Sequence, residues 1–202
     1  MACHRTAAAA GVAPIVLDSA PDGHWILMDY IEGGTWTPMQ LQTAEGLRTL
    51  GARLQRLHAI MPPNGIAAFD PVSIATGQAQ AILERDPAQV DALVGRVQQL
   101  AVDCAAFAVT PVTTHGDLNV GNLIGSVPML VDWEYAQLAD PVWDLACLST
   151  YYPGLQLRGE ELLRAAVIAD ANGTMRLRLH ADLFDTLNRL WEKAQGAPAR
   201  PC

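Results

Sequence analysis

Between His115 and Glu134 the sequence sets an Asp, an Asn five residues later, and a second Asp beyond a short turn: His115-Gly116-Asp117-Leu118-Asn119-Val120-Gly121-Asn122, then Val131-Asp132-Trp133-Glu134. Leu123-Ile124 and Met129-Leu130-Val131 are brief apolar runs joined by Gly125-Ser126-Val127-Pro128, a hairpin pattern. A hairpin carries the chain out and back, so Asn122 and Asp132 are expected to face one cleft. Asp117 on the preceding loop can accept the proton of an attacking hydroxyl. Asn122 offers a neutral oxygen and Asp132 a charged oxygen, the hard donors that Mg²⁺ prefers and shares with phosphates. Phosphoryl transfer asks for such parts: in-line positioning and charge neutralisation, with little covalent work by the protein.

A chain of 202 residues, half of them hydrophobic and 17% charged, is one ordinary domain or a domain with a small appendage. The formal net charge of -8 argues against a nucleic-acid binder, which needs a basic face. An acidic balance suits solubility and also suits a cationic substrate. Cys3, Cys104, Cys147 and Cys202 lie far apart without metal-ligand spacing, which fits a reducing cytoplasm. No apolar run reaches membrane-spanning length, and the Ala7–Ala10 segment is too short for a signal peptide.

Pro14–Leu17 and Trp25–Ile31 read as two strands around an Asp/Pro/Gly turn, and Glu32-Gly33-Gly34 as a hinge. Leu41, Ala44, Leu47, Leu50, Leu54 and Leu57 predict one helix from about Pro38 to Ile60, capped by Thr37. Residues 72–107 read helical with a break at Asp86-Pro87; Asp140-Pro141 starts another helical region, with Asp140 as its cap. Leu183, Leu187, Leu190 and Trp191 mark a last amphipathic helix, and the tail from Gly196 to Cys202 reads as loose. Trp133, Trp143, Tyr151 and Tyr152 suit either a core or a cation–π cage for an amine, to which Glu134 would add charge. His58 and His180 read as packing or surface residues.

The pattern H-x-D-x-x-x-x-N, hairpin, D-W-E, then Asp140-Pro141-Val142-Trp143-Asp144-Leu145-Ala146 resembles the aminoglycoside phosphotransferase and choline kinase superfamily, nearest its bacterial choline and thiamine kinase branch. The resemblance spans nearly the whole chain. It implies an α+β, protein-kinase-like fold: a mainly helical C-lobe with the catalytic hairpin over residues 37–202, and a two-stranded N-lobe remnant with hinge over 1–36. It implies Asp117 as catalytic base, Asn122 and Asp132 as Mg²⁺ ligands, and backbone around Met28, Asp29, Tyr30 and Ile31 as the adenine seat of ATP. Asp144 would brace the catalytic loop from a helix start and His115 would pack beneath it. Asn119 stands where His is commoner.

The same resemblance exposes what the sequence does not contain. The glycine-rich phosphate loop, the strand Lys and the helix Glu of such kinases are not visible, and the sole Lys is Lys193. The expectation is therefore a kinase truncated at its N-terminus, acting on a small amine or amino alcohol of choline, thiamine or aminoglycoside type. The alternative is a kinase-like binding module without turnover. The exposed strand edge is expected to favour self-association.

Overall fold

The computed structural model describes residues 2–82, 87–168 and 170–195. The break expected at Asp86 and the tail from Gly196 lie outside the described residues, as does Cys202; Cys3, Cys104 and Cys147 are unpaired. Among the described residues no helix is long and apolar enough to cross a membrane.

The chain opens with helix α1 (Ala2–Ala9), then strands β1 (Val16–Ser19) and β2 (Ile26–Met28), paired antiparallel. The second strand is shorter than the expected 25–31: pairing ends at Asp29, whose N–H meets Ile15 O at 2.9 Å. The segment that follows pairs with the hairpin built on Leu123–Leu130. Gly34 O accepts from Gly125 N–H (3.1 Å), Leu123 O accepts from Trp36 N–H (2.8 Å), and the Trp36 indole N–H donates to Gly125 O (2.8 Å). The boundary expected after residue 36 falls between Trp36, which belongs to the shared core, and the Thr37 cap.

The single helix expected from Pro38 to Ile60 is two. Thr37 and Gln40 form a capping box for the one-turn α2 (Pro38–Leu41). Thr43 then caps afresh, its hydroxyl accepting Gly46 N–H at 2.9 Å, and starts α3 (Ala44–His58). Two caps six residues apart outcompete continuation of the leucine stripe. Leu47, Leu50, Leu54 and Leu57 are buried as that stripe requires. At Gly51, α3 touches the end of α7 (Gly159–Ala165) so closely that a Cβ would lie 2.1 Å from Ala165 O.

Helix α4 (Pro71–Gln80) is capped by Asp70, and α5 (Pro87–Ala105) buries Val90, Leu93, Val97 and Leu100. Helix α6 (Val142–Tyr151) is buried from Val142 to Ser149, and α8 (Gly173–Ala194) packs across α4, α5 and α6. Asp140 meets the first turn of α6 through Val142 N–H (2.9 Å), and its carboxylate also pairs with buried Arg176 of α8.

Two small ribbons frame the loop between them. Strand β3 (Val112–Thr114) pairs with β6 (Gln137–Ala139), and β4 (Leu123–Ile124) pairs with β5 (Met129–Leu130), each antiparallel. Residues 115–122 leave β3 and enter β4, while 131–136 leave β5 and enter β6. The charged residues of the motif thus sit on two loops whose ends are pinned by β-pairing. The α+β architecture is a helical body carrying this small strand cradle.

Candidate active site

Asp144 organises the loop from below. Its side chain is fully buried, and its carboxylate accepts the backbone N–H groups of His115 (3.0 Å) and Gly116 (3.1 Å). His58, at the end of α3, reaches the other oxygen through Nε2 at 3.1 Å. A buried carboxylate with three donors is a satisfied charge. Gly116 O in turn accepts from the Trp143 indole at 3.3 Å. Gly116 has φ 88, and a Cβ there would lie 2.0 Å from Tyr135 O, so only glycine fits where the two loops touch.

His115 is buried beneath the loop. Its Nε2–H donates to Val131 O (2.8 Å), its Nδ1 is buried without a hydrogen bond, and its ring lies 4.9 Å from the Trp133 ring. It ties the two loops together and does not open to solvent.

Above this floor Asp117 is half-buried. The Tyr151 hydroxyl donates to its Oδ1 at 2.7 Å, while its Oδ2 receives only a long contact from Asn119 Nδ2 (3.4 Å). Asn122 Nδ2 donates to Asp117 O at 3.0 Å, and Val131 N–H donates to Asn122 O at 3.1 Å. These two bonds hold Asn122 between Asp117 and the start of the second loop. Asp132 is exposed, and it adopts φ 65, a left-handed conformation uncommon outside glycine and frequent at functional sites. No hydrogen bond or ion pair among the described residues engages its carboxylate.

The donor chemistry fits a hard cation. Asn122 commits its amide nitrogen to the loop, which leaves the amide oxygen as the atom that could meet a metal. Clusters of three or more His, Cys, Asp or Glu are absent among the described residues. The amide oxygen of Asn122 and the carboxylate of Asp132 are hard donors of the kind that Mg²⁺ takes in small number, filling its other positions with water and phosphate.

Residues 2–180 match the sequence profile of the phosphotransferase enzyme family. The chain belongs to that family. Solved structures of small-molecule kinases share its fold. A choline/ethanolamine kinase family protein from Mesorhizobium loti aligns with TM-score 0.82 at 26% identity, over 99% of this chain and 72% of that one. Choline kinase LicA from Streptococcus pneumoniae aligns with TM-score 0.79 at 22% identity, over 97% and 72%. An aminoglycoside phosphotransferase from Streptomyces rimosus aligns with TM-score 0.61 at 23% identity, over 91% and 78%. No curated protein sequence matches the chain. The fold is protein-kinase-like, as the sequence pattern implied.

In this phosphotransferase, Met28, Asp29, Tyr30 and Ile31 line a cleft of about 530 Å³ whose opposite wall is Ile124 and Val131. The hinge segment therefore faces the hairpin at Ile124 and at Val131, the residue before Asp132. Glu134 and Tyr135 are exposed beside the second loop. Burial, then Glu134, Asp117 and Asp132, push the Tyr135 phenol above its ordinary value, which marks a negative surface here. Trp133 departs from the cage expectation: it is 7% exposed, its indole N–H donates to Leu130 O (2.9 Å), and it belongs to the floor. Trp143 is likewise core, 4.2 Å from the Phe69 ring. His58, which reads from sequence as a packing or surface residue, is part of the brace; its position two turns beyond Leu50, on the buried edge of α3, gives no sign of a carboxylate partner on α6.

Proposed function

We propose that this phosphotransferase moves the γ-phosphoryl group of ATP, with Mg²⁺, onto a hydroxyl of a small amine-bearing acceptor of choline, thiamine or aminoglycoside type. The observation that carries the reading is the arrangement of Asp117, Asn122 and Asp132 on two loops tied to each other, with one oxygen of Asp117 left for a hydroxyl. Asp117 Oδ2 accepts the acceptor's proton as the oxygen–phosphorus bond forms and the bond from phosphorus to the departing ADP oxygen breaks. Asn122 and Asp132 would hold Mg²⁺, which when bound neutralises charge on the phosphates. Backbone groups of Met28–Ile31 seat the adenine in the cleft against Ile124 and Val131. Asp117, Asp132 and Glu134 give the mouth a negative field that attracts a cation. Among the solved neighbours, LicA is seen with AMP and the Streptomyces rimosus enzyme with ADP and streptomycin, which supports a nucleotide and a polar acceptor.

The test is calorimetric titration of ATP with and without Mg²⁺, on this chain and on Asp132→Ala. Binding that requires both Mg²⁺ and Asp132 supports the reading, and ADP release over a panel of amino alcohols then identifies the acceptor. Absence of binding by either protein overturns it.

A second reading, a binding module without turnover, is favoured by one observation. The residues lining the hinge cleft include no Arg or Lys, and Lys193 sits in the last turn of α8, so no basic group of the cleft wall grips phosphates. Amine binding that is indifferent to ATP and to Asp117→Asn would select this reading. The β1–β2 ribbon exposes Ile15, Leu17, Trp25 and Leu27, each more than half accessible. Self-association through that ribbon is the accompanying proposal, tested by light scattering across a dilution series.

A further inference from the structure

The two tyrosines that close α6 grip opposite ends of the catalytic loop. Tyr151 donates to Asp117 Oδ1 (2.7 Å), and Tyr152 Oη accepts Val120 N–H (2.9 Å). The Tyr151 ring is itself held in place, meeting Phe184 of α8 edge-on at 5.4 Å. The Asn188 side chain lies beside the same phenol, and its Nδ2 is buried without a hydrogen-bond partner among the described residues. An orphaned buried amide donor is costly unless it faces a lone pair. A phenol whose proton is committed to Asp117 presents its lone pairs away from that carboxylate, where a neighbouring amide donor can approach them.

We propose that Tyr151 is the positioning residue of Asp117, and that Asn188 orients it. The observed bond runs from the Tyr151 proton to Asp117 Oδ1, and the proposed one from the Asn188 amide to the Tyr151 oxygen. It fixes the carboxylate rotamer and occupies Oδ1, so the acceptor hydroxyl is directed to Oδ2 alone. Tyr151 is then a wall of the acceptor site that acts through Asp117, in place of the cation cage expected from its sequence position. The role deepens the phosphotransfer reading and rests on it. Its physical basis is separate: a charge-assisted hydrogen bond to a carboxylate holds direction as well as energy.

Tyr151→Phe removes the hydroxyl and keeps the ring on Phe184. It is expected to lower kcat about tenfold, the loss of one charge-assisted hydrogen bond, with the KM for ATP unchanged. In an Asp117→Asn background the same substitution is expected to change kcat less than about twofold, since the interaction is already altered. Equal losses in both backgrounds, or full activity in Tyr151→Phe, overturn the proposal. A second measurement does not need turnover: the ¹³Cζ resonance of Tyr151, assigned by its disappearance in Tyr151→Phe, followed in Asp117→Ala and Asn188→Ala. Movement in both variants supports the chain of hydrogen bonds, and a resonance indifferent to Asp117 overturns it. If the wild-type chain phosphorylates nothing, the phosphotransfer reading falls, and the resonance alone decides whether Tyr151 holds Asp117.

Discussion

His58 and Asp144, eighty-six positions apart, meet at 3.1 Å on the far side of the carboxylate that receives the His115 and Gly116 amides. One buried side chain thereby joins the end of α3, the start of α6 and the loop that bears Asp117.

Asp144→Ala strands two buried N–H groups and the His58 ring at once. It is expected to cost about 3–5 kcal/mol, the range for removing one partner of a buried charged pair. Urea unfolding measures it. Asp144→Asn, which retains one acceptor oxygen, is expected to recover part of the loss.

Asp117→Asn keeps the size of the side chain but removes its basicity. If the proposed function holds, kcat falls about a thousandfold while Mg²⁺-dependent ATP affinity stays within about twofold, the pattern of a lost general base. Single-turnover kinetics and calorimetry separate the two quantities. A variant that keeps wild-type kcat would assign Asp117 to the structure alone.

Arg176 is 1% exposed and pairs with Asp140 at 2.6 and 2.8 Å and with Asp170. Arg176→Ala leaves the Asp140 carboxylate largely buried without its partner and is expected to cost about 3 kcal/mol. Arg176→Lys is expected to restore less than half, because an ammonium cannot span both carboxylates as a planar fork does. Thermal melts of the two variants and the parent give the comparison.

Burial pushes the His180 imidazole below its ordinary 6.5, and does the same to His4. Each therefore takes up a proton more readily in the unfolded chain. As pH falls through 6.5 the unfolded state binds more protons than the folded one, so stability falls; above 6.5 the contribution is constant. Urea midpoints are expected to decline between about pH 7.5 and 5.5. The double variant His4→Gln, His180→Gln is expected to flatten that decline, and an unchanged slope would assign it to other groups.

Gly116→Ala places a methyl 2.0 Å from Tyr135 O and forces a left-handed residue to carry a side chain. The two loops must part. The expected cost is about 3 kcal/mol, beyond strain alone because of the clash. Loss of Mg²⁺-dependent nucleotide binding, read by the same calorimetry, is expected with it.

The candidate site residues can be grouped from the sequence because they lie close together along the chain. Asp117, Asn122 and Asp132 sit on two loops joined by one tight hairpin, so local rules of turn and strand bring them together. The leucine stripe of α3 and the valine and leucine stripe of α5 announce their buried faces by spacing alone. The brace and the clamp are different. Tyr151 reaches Asp117 because α6 docks on α8, Arg176 reaches Asp140 for the same reason, and His58 reaches Asp144 because α3 packs beneath β3. No periodicity encodes those partners. The split between α2 and α3 does have a signal, Thr43 with Gly46 three residues on, which the regular leucine spacing masks. Strand β6, Gln-Leu-Ala, is too short to show alternation and exists only because β3 offers it an edge.

Trp36 bonds to the hairpin turn through its indole while its backbone joins β4. The segment that follows Met28–Ile31 and the turn between Asn122 and Asp132 are consequently one rigid chassis. If the proposed function holds, a base seated against Met28–Ile31 is tethered a few residues on, through Gly34 and Trp36, to the hairpin that joins Asn122 to Asp132, and that tether sets the reach its phosphate tail must span.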